Sequence, residues 1–136
     1  MGDEESRRLP ALSEAQLEIM NIVWERGEAT VADVWKALAE QRKVARNTVL
    51  TMMTRLEEKG WLERDEEAHA HRYRATAPRE ATLGTMISRL VETAFAGSAE
   101  GLMMALLHER GISRQEAERI RAMIDEAERR KERRKP

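Results

Sequence analysis

The sequence predicts a mainly α-helical chain, with a winged helix-turn-helix N-terminal domain (three helices plus a two-stranded wing) and a C-terminal helical dimerisation module. Three observations predict it. Apolar residues recur at helical spacing in three successive segments between Leu12 and Leu56. A short extended pair with an acidic turn, residues 61–74, follows at once. Helical periodicity then returns and holds from Pro78 to Ala127.

Residues 1–10 are charged and irregular and are expected to form a flexible tail. The DNA-binding-type domain is expected over residues 11–76. Ser13-Glu14-Ala15-Gln16 is a capping box, with Leu12 and Leu17 placed as its hydrophobic staple. The first helix should run to Arg26, turn Leu17, Met20, Val23 and Trp24 inward, and end at Gly27. Thr30 can cap a second helix, Val31 to about Glu40, with Val31, Val34, Trp35 and Leu38 inward.

The third segment, VARNTVLTMMTRLEEKG over residues 44–60, carries the most information. Val49, Met52, Met53 and Leu56 fall at i, i+3, i+4 and i+7, the spacing of a buried stripe. Arg46, Asn47, Thr51 and Arg55 project elsewhere, and no Glu occurs before Glu57. Arg can grip guanine O6 and N7, Asn can grip adenine N6 and N7, and Thr can meet a base edge or a phosphate. A solvated polar face, or Asn47 serving as an N-cap in place of Ala45, is the plainer reading of the same residues.

Trp61 to Arg64 reads as a strand, Asp65 to Ala68 as a turn, and His69 to Arg74 as the return strand. Isolated hairpins are marginal, so this one should lean on the helices through Trp61 and Tyr73. The helical module is expected over residues 77–128, with Pro78 in its first turn. Gly97-Ser98 breaks its first helix, a second ends near Gly111, and Ser113 to Glu116 forms another capping box. Residues 129–136 should be a solvated basic tail. About 50 residues bury too little surface to stand alone. The economical solution is that two chains interleave through Leu83, Met86, Ile87, Leu90, Val91, Phe95, Leu102, Leu106, Ile120 and Ile124. A monomeric three-helix bundle is the alternative.

With 24 Lys and Arg against 25 Asp and Glu, any nucleic-acid contact must come from a local concentration of cations. The absence of Cys excludes disulfides, thiol chemistry and cysteine-held metals. No apolar run approaches a membrane span and no signal-peptide core follows the charged start, so a cytoplasmic chain without membrane insertion is expected. No phosphate-cradling glycine loop and no HExxH helix is present, and Ser13 and Ser113 have capping duties, so enzymatic activity is not expected. No cofactor or metal is expected either. His69 and His71, two apart on the expected return strand, face the same way and with His108 invite a metal or haem reading. No carboxylate–histidine pattern at helical ligand spacing supports it, and the methionines suit core filling.

LSEAQLEIMNIVWERGEATVADVWKAL, then NTVLTMMTRLEEKGWLER, a wing ending HRYRA, and FAGSAEGLMMALL resemble the BlaI/MecI/CopY group of penicillinase-type transcriptional repressors. The resemblance spans about residues 10 to 127. It implies a homodimer that binds an inverted-repeat, palindromic operator in double-stranded DNA. By position, Arg46, Asn47, Thr48 and Thr51 match the family's DNA-contacting residues, and Arg55 lies near the backbone. Further backbone contacts are expected from Thr30, whose helix start presents amides, and from Lys59, His69, Arg72 and Arg74 around the wing. Release from the operator is expected through an unidentified signal, proteolysis by a partner membrane protease being one route.

Three departures from the family's pattern matter. The copper-responsive members' cysteines are absent. The stretch from Gly101 to Ala105 lacks the Asn-Phe pair at which protease-controlled members are cut, and His69 stands where the wing often has Arg. The rival reading is a winged helix used for protein–protein contact without sequence-specific DNA binding, with Asp65, Glu66 and Glu67 repelling DNA.

Overall fold

The computed structural model describes residues 9–66 and 70–134 of the 136-residue chain. In chain order these form α1 (Glu14–Arg26), α2 (Val31–Ala39), α3 (Arg46–Glu58), β1 (Leu62–Asp65), β2 (Arg72–Ala75), α4 (Arg79–Ala94), α5 (Ala99–Glu109) and α6 (Arg114–Arg133). They fall into two compact units, Met1–Arg89 and Leu90–Pro136.

Local chemistry sets the helix ends. The Ser13 box closes both ways: the Gln16 amide donates to Ser13 Oγ at 3.2 Å and the Ser13 amide to Gln16 Oε1 at 2.9 Å. Gly27 ends α1 at φ 87°, donating its amide to Val23 O. Thr30 caps α2 and Asp33 completes a second box, which the sequence reading had not paired. Of the box expected at Ser113, the structure forms the half in which Ser113 Oγ accepts from the Glu116 amide.

The first unit has one core. Ile19, Met20 and Val23 of α1 meet Val34 and Leu38 of α2 and Val49, Met53 and Leu56 of α3. Trp61, Leu62 and Tyr73 close it from the hairpin, each 3% exposed or less. Ile19 is fully buried although Leu17, the expected inward residue, is only half-buried. Each tryptophan also donates its indole N–H to a distant carbonyl at 2.9 Å: Trp24 to Ala77, Trp35 to Val44 and Trp61 to Pro10. A buried indole nitrogen needs such a partner, so apolar burial and loop anchoring come together. The Trp35 bond secures the backbone just ahead of α3.

β1 and β2 pair antiparallel, with Glu63 opposite Arg74 and Arg64 opposite Tyr73. Ala29, between α1 and α2, exchanges both backbone hydrogen bonds with Tyr73 at 2.8 and 2.9 Å. That added bridge, with Trp61 and Tyr73 buried beneath, is how a two-stranded ribbon holds its place.

Several expectations are corrected. Leu9 packs on the core and Pro10 accepts the Trp61 indole, so the described end of the N-terminal tail is anchored. The return strand begins at Arg72, leaving His71 outside it, and Glu67, Ala68 and His69 lie outside the described residues. Pro78 precedes α4 and accepts the Thr82 amide, so it stands one place before the helix. The basic C-terminus is not a separate tail, because α6 continues to Arg133. Three arginines, Arg129, Arg130 and Arg133, converge there on the single carboxylate of Glu126.

The second unit contrasts with the first. Neither α5 nor α6 contains a buried residue. Met104, Leu106, Leu107, Ile112, Met123 and Ile124 are all 37% exposed or more. Met103, Leu106, Leu107, Ile112 and Ile120 line an open groove of about 510 Å³. Among the described residues, no single helix is long and apolar enough to cross a membrane.

Candidate nucleic-acid interface

α3 is held by one face only. Val49, Met53 and Leu56 have no exposed surface, whereas Arg46, Asn47, Thr48, Leu50, Thr51, Arg55 and Glu58 are exposed. The helix therefore presents a polar outer face that its own domain does not cover.

The start of α3 differs from every other helix start. The first turns of α1, α2, α4, α5 and α6 carry Glu14, Asp33, Glu80, Glu100 and Glu116 respectively. The first turn of α3 carries no acid, and its N-cap, Ala45, makes no side-chain hydrogen bond. Asn47 therefore does not serve as the cap. The positive end of the α3 dipole is left open to an anion.

Charge pairing sharpens the contrast. Arg26, Arg42, Arg64, Arg72 and Arg74 are each bound to a carboxylate. Among the described residues, Lys43, Arg46, Arg55 and Lys59 have no such partner and all are exposed. These four lie on α3, immediately before it and at its end; Lys36 of α2 and several arginines from Arg79 onward are likewise without a carboxylate partner. Lys43 and Leu50 were not singled out from the sequence. Lys43 is visible in hindsight as a cation three residues before α3.

The wing is less free than expected. Arg74 lies 2.6 Å from Glu63, and Arg72 lies 3.0 Å from Glu28. The Glu63 hydrogen bond and charge raise the Arg74 pKa above its already high ordinary value, so the guanidinium stays charged but occupied. Arg64 is shared between Glu57 and Glu66. Such exposed pairs are weak and exchangeable, so a phosphate can compete for these arginines, but it must displace a carboxylate to do so.

Thr30 is similarly engaged. Its hydroxyl accepts from the Asp33 amide at 3.1 Å and its own amide donates to Asp33 Oδ2 at 3.0 Å. That bond, opposed by desolvation and aided by Arg26 and Lys36, holds the Asp33 carboxyl below its usual pKa. A carboxylate charged in the first turn of α2 makes this a poorer anion site than the start of α3. Thr51 donates its hydroxyl to Asn47 O at 3.0 Å, so it offers incoming groups its oxygen lone pairs first.

The residues expected at a dimer seam are distributed over three helices. Met86, Ile87 and Leu90 of α4, Leu106 of α5 and Ile124 of α6 are exposed by 37–52%. Leu83, Val91, Phe95, Leu102 and Ile120 are half-buried.

Three helices, the third with an acid-free start, and a bridged two-stranded wing together define a winged-helix domain of the kind DNA-binding regulators carry. The chain belongs to the penicillinase repressor family, whose model matches residues 12–126; the family's members are transcriptional repressors rather than enzymes. It is 29% identical over 123 residues to the transcriptional regulator BlaI of Mycobacterium tuberculosis, covering 89% of this chain and 88% of that one. To the penicillinase repressor of Bacillus licheniformis it is 22% identical over 125 residues, covering 92% and 98%. A mutant MarR from E. coli shares the fold with TM-score 0.50 at 18% identity, covering 85% of this chain and 77% of that one.

Proposed function

We infer that this repressor binds double-stranded operator DNA as a homodimer, laying α3 into the major groove of each half of a palindromic site. The acid-free, uncapped start of α3, beside the unpaired Arg46, is the observation that carries this reading. Arg46 and Asn47 read base edges. Thr48, Arg55, Lys43 and Lys59 grip phosphates, which fixes register without carrying sequence information, and Thr51 joins them only by turning its hydroxyl from Asn47 O to a phosphate oxygen. Arg72 and Arg74 join only by exchanging Glu28 and Glu63 for phosphate, and His69 adds a wing contact. Thr30 contributes least, because Asp33 occupies its cap.

Dimerisation supports the same reading energetically. One module buries little surface on DNA, and two modules on half-sites about one helical turn apart combine their affinities. α5 and α6 expose apolar side chains that a single chain leaves in water, and a second copy can cover them. Sedimentation should give a dimer at micromolar concentration, and a strictly monomeric chain would remove this half of the proposal. The protein acts in the cytoplasm and leaves the operator on a signal, cleavage by a partner membrane protease being one route.

Sequence selection from a random duplex pool tests DNA binding. A recovered inverted repeat, bound with strong salt dependence, is expected. The acidic residues on the wing, Glu63 and Glu66, with Glu28 paired to it from the α1–α2 turn, favour the rival reading of a protein-contacting module. Selection that enriches no sequence would favour that rival.

A further inference from the structure

We propose that Leu50 reads the C5-methyl group of a thymine and so sets part of the operator sequence, an inference that rests on the operator-binding reading above. Leu50 is 45% exposed, whereas Val49 beside it and Met53 three residues on have no exposed surface. It shares its face with Arg46 and Asn47, at i−4 and i−3, and with Thr54 at i+4. The other exposed large apolar residues among those described begin at Met86 and lie in α4, α5, α6 and the α5–α6 loop. Leu50 thus belongs neither to the core nor to the apolar surface of the C-terminal helices.

A lone exposed leucine is ordinary on a protein surface. This one stands within the group of side chains aimed at base edges. Of the groups the four base pairs present in the major groove, only the thymine methyl is apolar. A leucine packed there gains by excluding water from both surfaces. Against the cytosine amino group or guanine O6 and N7 it desolvates a polar group and offers nothing in return. The same side chain therefore favours thymine and penalises its competitors, at a base pair adjoining those read by Arg46 and Asn47.

The test uses the full-length chain and the duplex it selects from a random pool. Each thymine is replaced in turn by deoxyuridine, which removes only the C5-methyl group. Wild type should lose about fourfold in affinity at one thymine per half-site, the effect of one methyl group. Leu50→Ala should bind the unmodified duplex more weakly and show no further loss on deoxyuridine at that position. Leu50→Met, which restores an apolar side chain of similar length, should regain the sensitivity. Sequence-selective binding indifferent to every deoxyuridine, or a sensitivity that survives in Leu50→Ala, would overturn the Leu50 assignment and leave operator binding standing. Selection that enriches no sequence would overturn both.

Discussion

Replacing Met53 with alanine removes Cγ, Sδ and Cε from a side chain with no exposed surface, in the core that α3 shares with α1, α2 and the hairpin. Core Met→Ala changes cost about 2–5 kcal/mol, because the lost transfer energy is joined by that of the cavity left behind. For a folding unit of this size that corresponds to a fall in Tm on the order of 10–30 °C. Leu50, three residues earlier on the same helix, is already nearly half in water. Leu50→Ala should therefore cost only about 1 kcal/mol or less. Far-UV circular dichroism melts at one fixed protein concentration, chosen because dimerisation makes Tm concentration-dependent, would measure both. Equal losses, or a larger loss at Leu50, would refute the assignment of the inner and outer faces of α3 and with it the orientation of the reading surface.

Arg46→Ala should weaken operator binding by about 1–3 kcal/mol and relax preference at one base pair, while equal loss on random duplex would refute base reading. Arg55→Ala should instead weaken all duplexes alike and flatten the dependence of affinity on salt. Glu63→Gln frees Arg74 and should tighten binding while steepening the salt slope by up to about 0.9; unchanged affinity and slope would show that the wing does not reach phosphate. Asp33 has a depressed folded-state pKa, so its stabilisation is complete above the ordinary value of 3.8 and is lost as pH falls through the folded value. The stability gap between wild type and Asp33→Ala, followed by urea unfolding, should accordingly narrow at acid pH, and a constant gap would contradict the capping role.

Much of the fold was legible because its causes are local. The Ser13–Gln16 box, Gly27, and the spacing of Val49, Met53 and Leu56 all act within one or two helical turns. They placed α1 and α3 to within about two residues. The candidate site was legible to the extent that exposed Arg, Asn and Thr residues oppose that stripe. It was misjudged where a side chain's neighbour came from elsewhere. Arg72 and Arg74 look free in HRYRA, yet Glu28 lies 44 residues before the first and Glu63 opposes the second across the hairpin. Leu50 was passed over because periodicity alone does not say how much of a flanking leucine the other helices cover.

Sequence alone was enough to place most of the helices, the Ser13, Thr30 and Ser113 caps, and the apolar side and the Arg- and Asn-bearing side of α3. Those properties depend on backbone hydrogen bonds and side-chain spacing within a few residues. Tertiary structure decided which cations remain available, by pairing Arg72 and Arg74 and leaving Lys43, Arg46, Arg55 and Lys59 unpaired. It also decided how the wing is secured, through Ala29 and the Trp24 and Trp61 hydrogen bonds, which reach 53 and 51 residues along the chain. The physical reason is that pairing and burial depend on distance in space, which the folded core of α1, α2 and α3 sets and which separation along the chain does not.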